Sequence, residues 1–120
     1  MKVNDVLYNY RAIVTSVYDG DTCTLDIDLG LGAWIHGEKL RLTRINAPEV
    51  RGEERPEGLK SRDFLRQIID GKEIFIQTIK DRKGKYGRYL GEIWLQGQDG
   101  AWINVNDLLV EKGHAEYHQY

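Results

Sequence analysis

The sequence predicts an α+β fold that is mainly β: three strands, a helix, two further strands and a last helix. Apolar and polar residues alternate along the predicted strands, which is typical of strands with one buried face. Glycines separate these segments, and many of the pairings needed are non-local. These observations favour a small closed or partly open barrel with two short helices against it. With 120 residues, the chain is expected to form a single domain over residues 1–120.

The first two strands are predicted to form a hairpin with acidic residues at its tip. Residues 8–18 are rich in β-branched and aromatic residues, and residues 22–29 alternate between apolar and polar side chains. Both patterns are typical of strands. The tight turn Asp19-Gly20-Asp21 between them therefore carries two carboxylates.

The third strand is expected over residues 38–45, after a glycine-punctuated connection over residues 30–37 in which His36 is a loop histidine. Pro48 ends the extended segment because it lacks a backbone donor. Arg41, Asn46 and Glu49 lie around this end. A cation, an amide oxygen and a carboxylate held close together suit a metal-assisted reaction on an anion. The alternative interpretation is a strand whose charged residues are simply solvated.

A helix is predicted from near Pro56 to Gly71, because proline is tolerated in a first turn and glycine commonly ends a helix. The fourth strand follows over residues 74–79, and the fifth over residues 89–95. A short final helix is predicted to begin after Asn104, a favourable N-cap residue.

Residues 80–88 concentrate positive charge between the fourth and fifth strands. Such a run is usually a solvated hairpin tip. Tyr86 and Arg88, however, bracket a glycine, and an aromatic ring beside a guanidinium can stack a base and bind phosphate.

The composition limits the classes of function that this chain can have. A net charge of −2 gives no broad basic field for tight DNA binding, but it is compatible with an enzyme whose positive charge is local. No apolar run approaches the length of a membrane helix, and residues 1–5 lack the apolar core of a secretory signal. The single cysteine, Cys23, excludes an internal disulfide framework. We therefore expect a cytoplasmic monomer with no membrane association.

Three motifs occur in order: Asp19-Gly20-Asp21-Thr22, then Leu40-Arg41-Leu42 running into Ala47-Pro48-Glu49, then Lys85-Tyr86-Gly87-Arg88. Together they resemble the staphylococcal (thermonuclease-like) nuclease family from about Tyr10 to Gly113. The resemblance implies a five-stranded OB-fold barrel that cleaves phosphodiester bonds of DNA and RNA with Ca²⁺. Single-stranded nucleic acid is the expected substrate, because Tyr86 can stack an unpaired base.

The resemblance also implies a metal site. It places Asp21, Asn46 and the backbone carbonyl of Ala47 at the calcium-ligand positions. It places Asp19 and Thr22 next to these ligands, where they would hold the ligands without binding calcium themselves. Asn46 departs from the family pattern because it stands where a second carboxylate is expected. An amide oxygen still binds calcium, but the lost charge predicts weaker affinity.

The remaining functional positions concern the substrate. The resemblance places Arg41 and Arg88 as the two guanidiniums on the scissile phosphate, Glu49 as the general base, and Lys85 and Tyr86 as contacts to a nucleotide phosphate. This assignment is chemically coherent, because attack on a phosphodiester builds negative charge that arginines and a hard cation can stabilise.

Two other functions remain open. The chain could be a catalytically weakened OB-type module that binds single-stranded nucleic acid or a protein partner. Alternatively, it could be a structural domain with a surface calcium site between Asp19, Asp21 and the turn at Asn46. Cleavage assays with calcium and with chelator separate these functions.

Overall fold

The computed structural model describes residues 7–119, which form eight strands, a 3₁₀ turn and two helices. In chain order the elements are β1 Asn9–Asp19, β2 Thr22–Gly30, β3 Ala33–Leu42, β4 Ile45–Asn46, the 3₁₀ turn Gly52–Glu54, α1 Arg55–Ile69, β5 Glu73–Lys83, β6 Tyr89–Gln96, β7 Trp102–Asn104, α2 Val105–Glu111 and β8 Glu116–Tyr117.

Five strands close into a barrel, which confirms the predicted mainly β, α+β fold of OB type. Antiparallel pairing links β3, β2, β1, β5 and β6 in that order. The barrel closes where β3 and β6 pair in parallel, with Leu40 opposite Tyr89 and Leu42 opposite Gly91. The short strand β7 extends the sheet beyond β6. Closure leaves the beginning of β6 beside the end of β3.

The barrel interior is the hydrophobic core. Alternate residues of the strands point inward, as the period-two pattern predicts, and α1 and α2 cover the barrel with Leu65, Ile69, Val105 and Leu109. All four of these helix side chains are fully buried. Cys23 is a buried core residue, and its burial raises the pKa of the thiol to about 12.

The helix boundaries follow the predicted signals. Pro56 lies in the first turn of α1, and the helix ends shortly before Gly71, which adopts a left-handed conformation. The side chain of Asn104 accepts a hydrogen bond from the backbone of Asp107 at 2.9 Å and so caps α2.

The prediction of a connection over residues 30–37 was wrong. Three consecutive left-handed residues, Gly30, Leu31 and Gly32, make a tight turn, so β3 begins at Ala33. His36 is therefore a strand residue, and its Nδ1 lies 3.2 Å from the carboxylate of Asp26. The glycines that suggested a long loop instead allow a short hairpin turn.

The predicted ends of the third and fourth strands also differ from the structure. The third strand stops at Leu42 because Arg44 takes a left-handed conformation, and the next residues form β4 with β8 as partner. The fourth predicted strand, β5, runs past residue 79 to Lys83 through an irregularity at Lys80 and Asp81. Neither the short strand β7 nor the β4–β8 pair was predicted, since very short strands carry little periodic signal.

Within residues 7–119, no helix combines the length and apolar character needed to cross a membrane. The expected cytoplasmic location depends on residues 1–5, which lie outside the described residues, and it stays a prediction.

Candidate active site

The acidic hairpin tip and the proline-terminated segment meet at Asp21. Asp21 as a whole residue is 6% exposed. One carboxylate oxygen accepts the backbone N–H of Ala47 at 2.8 Å, and the other accepts the hydroxyl of Thr22 at 3.3 Å. Gly20 permits this approach, because a Cβ there would lie 2.7 Å from Ser61 and 2.8 Å from Ala47. The β1–β2 turn is thereby fixed against β4.

Arg41 is the buried cation of this cluster. Its Nη1 donates to the backbone carbonyls of Leu42 and Ile45, the latter at 3.1 Å. Its Nη2 lies 3.2 Å from the amide oxygen of Asn46 and 3.3 Å from the carboxylate of Asp21. With four oxygen partners and 8% exposure, the guanidinium is held in one orientation, and the charge of Asp21 offsets part of its desolvation cost.

Arg88 comes into the same region through barrel closure. It directly precedes β6, whose parallel pairing with β3 begins at Leu40 and Tyr89. Arg88 donates to the Thr22 hydroxyl at 3.4 Å, and Thr22 in turn donates to Asp21. Thr22 thus links the second arginine to the carboxylate.

Lys85 and Tyr86 lie at the outer rim. Tyr86 is 71% exposed. The ammonium of Lys85 is 5.1 Å from the ring centroid and the guanidinium of Arg88 is 5.3 Å from it. An exposed ring flanked by two cations can stack a base while the cations bind phosphate.

Glu49 is an exposed residue between β4 and α1. Its backbone N–H donates to the carboxylate of Glu54 at 3.3 Å, and its carbonyl packs against Gly58 of α1. Burial and the charge of Asp21 raise the pKa of Asp19 to about 7, and the charge of Glu49 acts in the same direction. The Glu49 carboxylate is therefore electrostatically coupled to the hairpin tip.

The donor chemistry of the cluster fits a hard cation such as Ca²⁺. Asp21 and Asn46 direct oxygens at the same Arg41 nitrogen, so these oxygens share one small region. Carboxylate, amide and carbonyl oxygens are the ligands that calcium prefers. Within the described residues, no group of three or more His, Cys, Asp or Glu residues is placed to hold a metal. A cation here would depend on the Asn46 amide and backbone carbonyls as well, which suits weak affinity.

The structure thus brings the predicted residues into one region. Direct contacts join Asp21, Thr22, Arg41, Asn46, Ala47 and Arg88, while Asp19 accepts the backbone N–H of Asp21 at 3.0 Å. Lys85 and Tyr86 adjoin Arg88. Glu49 lies close enough for its charge to raise the pKa of Asp19. The catalytic and binding roles of these residues stay predictions.

Sequence reasoning missed a basic pocket next to this cluster. The pocket measures about 530 Å³ and lies between the β-sheet and α1. Five of its lining residues are cations: Lys39, Arg55, Arg62, Arg66 and Arg88. The arginines of α1 recur at i, i+7 and i+11, a spacing that places them on one helical stripe. This arginine stripe is the sequence signal that could have predicted the pocket.

Comparison with known families gives one match over most of the chain. A family model described as staphylococcal nuclease homologue matches residues 39–120. Comparison with curated proteins finds no match. The matched segment carries Arg41, Asn46, Glu49 and Arg88, whereas the Asp21 hairpin precedes it. The connection of that hairpin to the site therefore depends on the structural contacts.

Proposed function

This chain belongs to the staphylococcal nuclease family, and we propose that it is a calcium-dependent nuclease that hydrolyses phosphodiester bonds of DNA or RNA. We further propose that it acts as a cytoplasmic monomer on single strands. The observation that carries the proposal is the convergence of Arg41 and Arg88 on the Asp21–Thr22 hairpin end. Two cations beside a carboxylate-lined turn suit a reacting phosphate.

The two arginines have different tasks in this proposal. Arg41 keeps Nη1 on the carbonyls of Leu42 and Ile45, which fixes the guanidinium, and Nη2 is the nitrogen that would donate to a phosphate oxygen in place of Asn46 or Asp21. Arg88, half-buried and bonded to Thr22, donates from the other side. Preorganised donors stabilise the negative charge that develops on the equatorial oxygens during attack by water.

Glu49 is proposed to take the proton of the attacking water. Glu49 itself is exposed, so water has access to it, and its charge acts on Asp19. A general base must reach the water that it deprotonates, and a segment anchored by Glu54 and Gly58 limits where this carboxylate can lie.

The metal ligands are proposed to be Asp21, Asn46 and the Ala47 carbonyl. Calcium, when bound, would supply a hard Lewis acid that polarises the phosphate. Asp19 and Thr22 hold the Asp21 segment through its backbone N–H and its carboxylate respectively. These contacts orient the carboxylate before substrate arrives.

Substitution of Glu49 tests the proposal, with Glu53→Gln as the matched control because Glu53 is an exposed carboxylate four residues further along. Labelled single-stranded DNA is incubated with calcium and each variant. We expect Glu49→Gln to abolish most cleavage, while Glu53→Gln cleaves like the parent. Equal rates for the two variants would refute the assignment of the base.

One observation favours a second function, a binding module of the same fold without cleavage. Asn46 lacks the charge of a carboxylate, and Arg41 already engages the oxygens of both Asp21 and Asn46. A metal site with few charges binds calcium weakly. Binding of single-stranded DNA without any cleavage, even in millimolar calcium, would support this alternative against the nuclease.

A further inference from the structure

The basic pocket beside the candidate active site has a composition that none of the assigned roles explains. Among the described residues that line it, five carry positive charge and none is aspartate or glutamate. The chain as a whole has more acidic than basic residues, with 19 against 17. A local excess of this kind on a mildly acidic protein indicates an anionic ligand.

The pocket cations come from separate elements that converge. Arg55, Arg62 and Arg66 lie within an arc of about 40° on α1, as follows from 3.6 residues per turn. Lys39 faces them from β3, where it pairs with Thr24 of β2. The strands and the helix therefore form two walls of one basic groove.

All three helix arginines are partly fixed by neighbours, and Arg55 donates from Nη1 to the carbonyl of Val50 at 3.0 Å. Arg66 donates from Nε and Nη2 to the carbonyl of Val17, at 3.3 and 3.1 Å. Arg62 bonds to Asp63, whose side chain is 62% exposed, while that of Arg62 is 25% exposed. An exposed aspartate in water compensates a pocket cation weakly, so the groove keeps most of its positive charge.

The pocket is continuous with the candidate active site. Thr22 and Arg88 line the pocket and also belong to the Asp21 cluster. Its volume lies within the range of ordinary ligand pockets and exceeds what a lone phosphate needs. Tyr18, with 49% of its surface exposed, adds an aromatic ring to the lining.

We infer that this pocket binds one further nucleotide of a single-stranded nucleic acid, with Lys39 and Arg62 on the phosphate next to the bond that is cleaved. Tyr18 offers its ring to the adjoining base. The inference rests on the proposed nuclease function, because it extends the substrate path from Arg88 along α1. It makes the pocket the determinant of strand binding and leaves chemistry to the Asp21 cluster.

The test uses binding in chelator, where cleavage does not interfere. Fluorescein-labelled oligodeoxythymidylate is titrated against the parent protein, Lys39→Gln, Arg62→Gln and the control Lys60→Gln. Lys60 is on the same helix, about 140° from Arg55 around the axis, and bonds to Glu57 at 3.4 Å. All three variants lose one positive charge, so long-range charge effects cancel in the comparison.

Each pocket variant is expected to lower affinity about tenfold at low salt, as for loss of one charge-assisted contact. The slope of log K against log salt concentration should fall by about 0.7, the value for one phosphate of a single strand. Lys60→Gln should leave the slope unchanged. Equal slopes for the pocket variants and the control would overturn the inference, as would failure of the parent to bind.

A second probe identifies the phosphate. One methylphosphonate, which is neutral, replaces a single phosphate of the oligonucleotide at successive positions. We expect one position to weaken binding to the parent more than binding to Arg62→Gln, which keeps only Lys39 on that phosphate. If every position weakens both proteins equally, Arg62 contacts no particular phosphate and the inference is wrong. Melting temperatures of the variants exclude unfolding as the cause.

The two proposals fail in different ways. If the parent binds with the expected pocket dependence but never cleaves in calcium, the nuclease proposal fails and the nucleotide site stands. If the parent cleaves but Lys39→Gln and Arg62→Gln match Lys60→Gln in binding, the nucleotide site fails and the nuclease proposal stands.

Discussion

Two neighbouring regions of this barrel carry arginines, and they hold them in opposite ways. In the Asp21 cluster, Arg41 is largely buried and bonds to two carbonyls, an amide and a carboxylate. In the adjacent pocket, Arg62 lines the cavity and its bonded neighbour is an exposed aspartate. The first guanidinium is fixed by the fold, whereas the second can adjust to a ligand.

This difference assigns separate tasks to similar side chains. A donor that stabilises a transition state must be placed before reaction, since reorganisation costs energy during the step itself. A cation that binds a strand needs only to meet phosphate, and its effect depends strongly on salt. The comparison therefore predicts that Arg41 governs turnover and stability, while the pocket governs binding.

The largest effect is expected for Arg41→Lys. A lysine cannot retain the forked contacts, so turnover should fall about 10²–10³-fold, as on loss of one preorganised donor. Carbonyls left without a buried partner should also lower the free energy of unfolding by about 1–3 kcal/mol. Cleavage rates and denaturant unfolding measure both. A variant with parental stability and turnover would remove the distinction between the two regions.

Arg88→Gln tests whether the two arginines of the candidate active site are held differently. Arg88 is half-buried, and its contacts are with the Thr22 hydroxyl and the Tyr86 ring. We expect turnover to fall about 10²-fold with little change in thermal unfolding. If instead stability falls as far as in Arg41→Lys, the two arginines are held alike and the contrast with Arg41 is wrong.

Gly58→Ala tests whether the position of Glu49 matters. A Cβ at Gly58 would overlap the carbonyl of Glu49 and lie 2.9 Å from the nitrogen of Val50. The segment must therefore move, and a shift of about 1 Å at a catalytic group can cost about 10²-fold in rate. Stability should fall as well, despite the higher helix propensity of alanine.

The control for this substitution is Gly84→Ala, where the nearest atoms would lie 3.8 Å from the new Cβ. Ordinary contact at that distance predicts near-parental stability and cleavage. If Gly58→Ala cleaves as fast as Gly84→Ala, the Glu49 segment does not set the rate.

The smallest effect is expected for Asn46→Asp, which adds a charge beside Asp21. Calcium affinity rises with the number of charged ligands, so the calcium concentration at half-maximal cleavage should fall about tenfold, equivalent to ~1.4 kcal/mol. A calcium titration of the cleavage rate measures the shift. An unchanged midpoint would mean that the Asn46 side chain does not face the ion.

Local signals allowed much of the fold to be predicted. β-Branched and aromatic content identified β1, and alternation identified β2. Asn104 and Gly71 marked the ends of helices, because capping and turn chemistry act over a few residues. The β3 start at Ala33 was missed because glycines within a two-residue turn and within a long loop look alike in sequence.

The candidate site was predictable only in part. Asp21, Arg41 and Arg88 stand in recognisable motifs, but their contacts depend on a parallel pairing of β3 with β6 that joins residues about fifty positions apart in the sequence. The basic pocket required both this closure and the packing of α1. Non-local packing decides such sites, and a single sequence carries little direct record of it.

The most direct test of the central claim is a calcium titration of single-stranded DNA cleavage, performed on the parent protein and on Glu49→Gln. The account predicts no cleavage in chelator, a saturable rise with a midpoint in the millimolar range, and a flat response from Glu49→Gln. Cleavage that persists in chelator, or a parental response from Glu49→Gln, would contradict it.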